Sequence, residues 1–139
     1  MDADSRLEHV AVAVEDLDTA VGLYSALLGR PESARHTVDS EGVRVAFFDL
    51  TGVRLELMEA TGEDTPVGRF MQRRGPGLHH IAVEVGDLQG AIERCRRAGL
   101  QTVGDAPRLG AGGRRVAFLH PKGTQGVLVE LTERPDAAR

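Results

Sequence analysis

Residues 7–17 read LEHVAVAVEDL, and residues 78–88 read LHHIAVEVGDL. One constant offset superimposes the two stretches, so that Leu7 matches Leu78 and Asp16 matches Asp87. The same offset takes His9 onto His80. The chain therefore contains two copies of one module, and each copy begins with a segment that carries a histidine.

Later segments of the module are duplicated as well. The VAF at 45–47 recurs at 116–118 with the same offset, and the LEL at 55–57 corresponds to the VEL at 129–131 with a slightly larger one. Each copy thus carries one glutamate near its end, Glu56 or Glu130. Twofold packing of the copies would bring two imidazoles and two carboxylates together, which is the outline of a metal site.

Composition limits the classes of function. With 139 residues the chain is long enough for one well-cored domain and too short for two ordinary ones. Its 41% apolar and 27% charged residues are typical of a soluble globular protein, and a net charge of −4 gives no footprint for nucleic acid. Cys95 is the only cysteine, and no apolar run reaches membrane-spanning length. We therefore expect a cytoplasmic protein without a membrane or nucleic-acid partner, acting on a small molecule.

Alternation of residue types predicts strands with two different faces. Three valines of residues 7–14 share one face, which is expected to pack against a helix. The other face carries His9 beside Ala11 and Ala13, which are small enough to leave room for a ligand. The second copy places His80 on the equivalent face.

The first module, at about residues 7–60, is predicted to have the order βαβββ. Its elements are a strand at 7–14, a helix from an Asp16 cap to about Leu28, and strands at 43–50 and 53–59. Residues 30–41 are polar and irregular, and the order is complete if the segment near 33–38 supplies the remaining strand. A linker helix at about 64–75, capped by Asp64 or Thr65, joins it to the second module.

The second module, at about residues 78–132, repeats the plan. Its elements are a strand at 78–85, a helix at 88–98 capped near Asp87, and strands near 101–103, 115–120 and 126–132. The predicted fold class is α+β, with both modules forming a single domain over residues 1–139.

The donor set of His9, Glu56, His80 and Glu130 suits a divalent first-row metal, because neutral imidazole and carboxylate both bind such ions. A lone strand histidine would more simply be a structural residue. Duplication of the histidine together with its carboxylate favours ligation. His79 faces the other way and is expected to be structural, as is His36 in a segment predicted to be irregular, and Cys95 is expected to fill the core.

A glycine- and arginine-rich loop at residues 107–115 has no counterpart in the first module. Arg108, Arg114 and Arg115 could bind phosphate groups, and the glycines would let backbone approach a ligand closely. A flexible hairpin with ordinary surface arginines is the alternative, and the sequence leaves both open.

The motifs taken together resemble a known family. The matching segments are LEHVAVAV at 7–14, DTPVGRF at 64–70, GLHHIA at 77–82, PRLG at 107–110, FLHPK at 118–122 and GVLVEL at 126–131. They resemble the vicinal oxygen chelate superfamily, which includes glyoxalases, bleomycin resistance proteins and dioxygenases. Within it, the later motifs are closest to the methylmalonyl-CoA epimerase family.

This resemblance implies a curved mixed sheet that encloses one divalent metal ion per chain, cobalt, nickel, zinc or manganese. It makes His9, Glu56, His80 and Glu130 the ligands, and it suggests a homodimer. Some members of the family have glutamine at the Glu56 position and a glutamate, proposed as a base, where this chain has Val45. That departure suggests that Glu56 combines ligation with proton transfer.

The implied activity is interconversion of (2R)- and (2S)-methylmalonyl-CoA through a metal-stabilised enolate. Glu56 and Glu130 are the expected acid–base pair, one on each side of the substrate carbon. Arg108, Arg114, Arg115 and Lys122 would hold the coenzyme A phosphates.

Three alternatives belong to the same superfamily. A glyoxalase-type lyase could use the same four ligands. An extradiol dioxygenase needs only two histidines and one carboxylate, so Glu56 would be superfluous. A small-molecule binding or resistance protein would not need four ligands.

Overall fold

A computed structural model describes residues 5–110 and 113–135. Backbone contacts divide the chain into two compact units, which we name the N-unit (residues 9–79) and the C-unit (residues 80–139 with residues 1–8). The boundary lies immediately before His80, so each unit holds one copy of the predicted His and Glu residues. That the two modules form a single domain stays a prediction.

The N-unit contains a mixed four-stranded sheet with two α-helices and a short 3-10 helix at Asp39–Glu41. In chain order, its elements are β1 (Arg6–Ala13, which begins in the C-unit), α1 (Leu17–Leu28), β2 (Ala34–Val38), β3 (Val43–Leu50), β4 (Val53–Ala60) and α2 (Pro66–Arg74). The strand order is β2-β3-β4-β1. β1 runs parallel to β4, and the other neighbours are antiparallel.

The C-unit repeats this arrangement with one helix. Its elements are β5 (Gly77–Val85, which begins in the N-unit), α3 (Leu88–Arg97), β6 (Thr102–Leu109), β7 (Arg115–Leu119) and β8 (Val129–Glu133). The strand order is β5-β8-β7-β6, with β5 parallel to β8. The α+β class and the βαβββ order of both modules are therefore confirmed. Among the described helices, none is long and apolar enough to cross a membrane.

Side-chain caps begin all three of these α-helices. Asp16 accepts a hydrogen bond from the Thr19 backbone N–H, and Asp87 accepts one from Gly90. Thr65, rather than Asp64, caps α2 by accepting from Gly68. Because the two aspartates occur at the same place in each copy, the duplicated strand leads directly into a helix in both.

The helices α1 and α3 each cover the valine-bearing face of their own sheet. In the N-unit, α1 packs through Leu17 and Val21 against a cluster that includes Phe48 and Leu57. In the C-unit, α3 packs in the same way, with the buried Ile92 in its cluster. The predicted direction of the valine face is confirmed, and Cys95 is a partly buried member of the C-unit core.

The opposite face of the N-unit sheet also carries a core, which the sequence analysis did not anticipate. Ala13, Val43, Val45 and Val67 form a buried cluster on the side shared by His9 and Glu56. Val67 belongs to α2, so the linker helix covers part of this face. The face that was predicted to lie outside the hydrophobic core therefore carries a buried apolar cluster of its own.

Two segment boundaries differ from the predictions. β6 extends to Leu109, so residues 107–109 belong to a strand, although they were predicted to lie in a loop. The hairpin is tight because Gly110 donates to the Arg114 carbonyl at 2.7 Å, and a Cβ at Gly110 would lie 2.8 Å from Val116. Residues 111 and 112 of the predicted loop lie outside the described residues. β8 begins at Val129 rather than 126, since Gln125 and Gly126 adopt positive φ in the preceding turn.

Candidate functional site

The pairing of β1 with β4 brings the first His and Glu together. Ala11 is the register partner of Glu56, and His9 is the partner of Arg54, so all of these residues point to the same face. His9 Nε2 lies 3.5 Å from Glu56 Oε1. His9 and Glu56 are only 7% and 9% exposed. The N-unit therefore holds a buried imidazole–carboxylate pair.

The pairing of β5 with β8 makes an equivalent pair in the C-unit. Ala82 is the register partner of Glu130, as Ala11 is of Glu56. His80 Nε2 lies 3.6 Å from Glu130 Oε1. His80 is buried and Glu130 is half-buried. The repeat in sequence is thus also a repeat in geometry.

The separation within each pair fits metal ligands better than a hydrogen bond. Good hydrogen bonds between nitrogen and oxygen span about 2.7–3.2 Å, and both pairs exceed that range. Two ligand atoms at about 2.1 Å from one tetrahedral ion would lie roughly 3.4 Å apart. His9, Glu56 and His80 are all buried and each offers one atom able to bind a metal. The spacing within each pair therefore fits two ligands of one divalent ion.

An aromatic ring flanks each glutamate. Phe47 is the register partner of Glu56, and Phe118 is the partner of Glu130. The His80 ring meets Phe118 edge-on, with centroids 5.8 Å apart. An apolar ring beside a carboxylate excludes water from one side of it, which strengthens the electrostatic interactions of the carboxylate.

Each of these aromatic rings also carries an arginine on its face. The Arg54 guanidinium carbon lies 4.3 Å from the Phe47 centroid, and that of Arg108 lies 5.1 Å from Phe118. These distances are in the range of cation–π contacts. The two arginines come from different strands of the module, β4 for Arg54 and β6 for Arg108.

The structure explains the valine at the position where some family members have a base. Val45 is buried in the cluster under α2, against Val43 and Val67. A carboxylate there would need desolvation without a partner from this cluster, at substantial cost. In this chain the position therefore serves packing.

The remaining histidines occupy other environments. His79 packs edge-on against Phe70 of α2 at 4.8 Å, and its burial lowers the pKa of the imidazole. His36 lies in β2, so the segment near 33–38 does supply the remaining strand although residues 30–41 were read as irregular, and the His36 ring is 6.3 Å from Phe47. His120 Nδ1 accepts a hydrogen bond from the Lys122 backbone N–H and so closes a turn.

Two of the four predicted phosphate-binding side chains, Arg114 and Arg115, bind carboxylates of the C-unit. Arg114 Nη1 lies 3.0 Å from Glu84 Oε2, and Arg6 Nε lies 3.1 Å from Glu84 Oε1. Glu84 is only 5% exposed. A buried carboxylate is thus neutralised by two arginines, one of which comes from the start of β1.

Arg115, the second, forms a bidentate ion pair with Glu133, at 2.7 and 3.1 Å. Hydrogen bonds from this guanidinium lower the pKa of the Glu133 carboxyl, which is 2% exposed. Arg108, Arg115 and Lys122 are exposed, and Arg114 is half-buried. Of the four cations predicted for one role, Arg114 and Arg115 therefore bind carboxylates, and Arg108 lies over the Phe118 ring.

Sequence reasoning did not single out several residues around the pairs. These are Arg54, Phe47, Phe118 and Glu84. The alternation of residues in β4 and β5 already places Arg54 on the face of Glu56 and Glu84 on the face of His80. Their contacts depend on strand register, which the alternation does not provide.

Comparison with known proteins places the chain among related sequences. The Glyoxalase/Bleomycin resistance protein/Dioxygenase superfamily matches residues 8–118. The ethylmalonyl-CoA/methylmalonyl-CoA epimerase of Cereibacter sphaeroides is 40% identical over 130 residues, covering 92% of this chain and 97% of the relative. The mitochondrial methylmalonyl-CoA epimerase of Homo sapiens is 37% identical over 129 residues, covering 92% of this chain and 73% of the relative.

A solved structure shares the fold. A variant of Streptomyces coelicolor methylmalonyl-CoA epimerase in complex with 2-nitronate-propionyl-CoA has a TM-score of 0.85 and 35% identity. The match covers 94% of this chain and 97% of that one.

Proposed function

The chain belongs to the Glyoxalase/Bleomycin resistance protein/Dioxygenase superfamily, and we propose that it is a metal-dependent methylmalonyl-CoA epimerase. The similar proteins from Cereibacter, human and Streptomyces all carry that activity in their names. The single observation that carries the proposal is the pair of His and Glu side chains that each unit builds at the same register. An epimerase must act on both faces of one carbon, and a duplicated pair supplies equivalent groups for that task.

His9, Glu56, His80 and Glu130 would together hold one divalent ion per chain. Neutral imidazole and carboxylate accept cobalt, nickel, zinc or manganese, and this set of donors does not choose among them. When bound, such an ion supplies Lewis-acid polarisation of the thioester carbonyl, which acidifies the C2 proton.

Glu56 and Glu130 would carry the proton transfer. One carboxylate would remove the proton from C2, and the other would return a proton to the opposite face. In the reverse reaction the two carboxylates would exchange these roles. Phe47 and Phe118 would keep water away from the flanks of these carboxylates and limit the escape of the proton to solvent.

The coenzyme A phosphates would bind mainly at Arg108 and Lys122, which are exposed. Arg114 and Arg115 would add positive charge from within their ion pairs with Glu84 and Glu133. A guanidinium has five N–H donors, so an arginine that binds one carboxylate has further donors for a phosphate oxygen.

Proton exchange at C2 of methylmalonyl-CoA in deuterated water tests the proposal. The metal-loaded protein should incorporate deuterium at C2 and equilibrate the two epimers, and the metal-free protein should do neither. Metal-loaded, folded protein that leaves C2 unlabelled would contradict it.

Parallel assays separate the alternatives. Isomerisation of a glutathione hemithioacetal would indicate a lyase, oxygen consumption with a catechol would indicate a dioxygenase, and tight binding without turnover would indicate a resistance protein. The homodimer and the cytoplasmic location stay predictions.

A further inference from the structure

The Phe118 ring meets the imidazole of a predicted metal ligand inside the C-unit. In the sheet, β8 lies between β5, which carries His80, and β7, which carries Phe118. Two strand spacings correspond to about 10 Å between the backbones of β5 and β7. The ring centroids are only 5.8 Å apart, and the ring planes are nearly perpendicular at 84°. The two side chains therefore lean toward each other above β8, the strand that carries Glu130.

Arg108 contacts the same ring from β6, which lies on the other side of β7. It is the register partner of Val116, which lies two positions before Phe118 and shares its face of the sheet. The Arg108 guanidinium carbon is 5.1 Å from the ring centroid, within the range of cation–π contacts. The ring thus has one contact toward β5 and another toward β6, and together they restrict its rotation.

The equivalent ring of the N-unit has a different histidine beside it. Phe47 is matched to Phe118 by the repeat and is the register partner of Glu56. The Phe47 ring meets the imidazole of His36 on the edge strand β2, with 6.3 Å between centroids. His36 is exposed and is not a predicted ligand. Both rings therefore flank a glutamate, but it is Phe118 that also touches a ligand histidine of its own unit.

We propose that Phe118 is a positioning residue for the metal site, whose ring fixes the orientation of the His80 imidazole so that Nε2 stays beside the Glu130 carboxylate. The proposal rests on the metal binding of the proposed function. A strand histidine rotates about two side-chain bonds, and the observed orientation brings Nε2 to 3.6 Å from Glu130 Oε1. Perpendicular contacts between rings are favourable and depend on geometry. The ring would thus reduce the freedom that His80 loses when an ion binds.

Titration of metal-free protein with cobalt(II), in competition with a chelator, tests this role without turnover. Phe118→Leu should raise the Kd for cobalt about tenfold, the lower end of what groups that orient a metal ligand contribute. It should also change the visible absorption of the bound ion, which reports the arrangement of the ligands. Phe118→Tyr, which retains the ring, should keep the wild-type spectrum and a Kd within about threefold. Phe118→Met, which fills similar space without a ring, replaces Phe118→Leu if that variant does not fold.

Two other phenylalanines supply matched controls. Phe70→Leu removes an edge-on contact of the same kind, but to His79, which is not a predicted ligand. Phe47→Leu removes the ring at the equivalent position of the repeat, which flanks Glu56. Each should keep the wild-type spectrum and a cobalt Kd within about threefold of the wild type.

A Phe118→Leu protein with the wild-type Kd and spectrum would overturn the proposal. An equal rise in Phe70→Leu or Phe47→Leu would also overturn it, because the effect would then not come from the contact with His80. Wild-type protein that binds cobalt but does not exchange the C2 proton would reject the epimerase activity. The ratio of the Kd values of Phe118→Leu and wild type would still report on Phe118 in that case.

Discussion

Glu84 of the C-unit occupies the position that Ala13 occupies in the N-unit. Ala13 lies in an apolar cluster under α2, whereas Glu84 is neutralised by Arg6 and Arg114. The second copy has no following helix like α2 among the described residues. The same face is thus closed by apolar packing in one unit and by ion pairs in the other.

Removing the charge of Glu84 should destabilise the protein. Glu84→Gln leaves two arginines without their shared carboxylate, and we expect the free energy of unfolding to fall by about 1–3 kcal/mol. Urea unfolding followed by circular dichroism measures the change. Glu93→Gln, at an exposed position of α3, should stay within about 0.5 kcal/mol of the wild type. An equal effect of both variants would mean that the Glu84 ion pairs contribute nothing specific.

Metal content should depend on the two histidines that share a face with the glutamates. His9→Ala and His80→Ala should each lose most of about one metal ion per chain, because each removes a ligand. His79→Ala should retain the ion, since His79 packs against Phe70 instead. Mass spectrometry of the purified, folded variants gives the content. Loss of metal in His79→Ala alone would exclude the proposed ligand set.

The two glutamates should have separable roles in proton transfer. Glu56→Gln and Glu130→Gln should each reduce epimerisation by at least about 100-fold, the usual contribution of a positioned acid or base. Deuterium exchange at C2 should persist from one epimer in the first variant and from the other epimer in the second. Metal content has to be measured in parallel, because loss of the ion would abolish both exchanges. Normal epimerisation by metal-loaded Glu56→Gln would leave Glu56 as a ligand only.

The exposed cations should act on the coenzyme A tail alone. Arg108→Ala combined with Lys122→Ala should raise KM for methylmalonyl-CoA by about tenfold and leave a truncated pantetheine thioester unaffected, because only the former has the nucleotide phosphates. Steady-state kinetics with both substrates checks this. A similar rise in KM for the truncated substrate would place the two residues near the acyl group instead.

Glu133 should make stability depend on pH in the acid range. Arg115 lowers the pKa of the folded-state carboxyl below its ordinary value of 4.5, so the unfolded chain binds the proton more tightly. The stabilisation is therefore complete above the unfolded pKa and is lost as the pH falls through the lower folded pKa. The difference in unfolding free energy between wild type and Glu133→Gln, both metal-free, should be constant near pH 7 and shrink below about pH 4.5. A difference that does not change with pH would show that the ion pair is not responsible.

Local features of the fold were predictable from the sequence. Alternation determined which faces of β1 and β5 meet a helix, since a one-residue change of register would expose every valine. Asp16 and Asp87 marked the starts of α1 and α3. The start of a helix favours a side chain that accepts a hydrogen bond from a backbone N–H of the first turn, and this is a local feature of the sequence. Duplication identified His9, His80, Glu56 and Glu130, which no property of a single strand would have distinguished from structural residues.

The contacts between distant segments required the tertiary structure. Nothing in the local pattern of residues 107–115 indicates that Arg114 binds Glu84 or that Arg115 binds Glu133, because each partner is brought close only by strand pairing. For the same reason Arg54 and Phe47 read as unrelated strand residues until β3 and β4 are aligned. The sequence by itself determined the repeated module, the faces of its strands and the chemical type of its donors, all of which follow from local periodicity. Only the tertiary structure decided which charges neutralise one another, because that depends on the register between segments far apart in the chain.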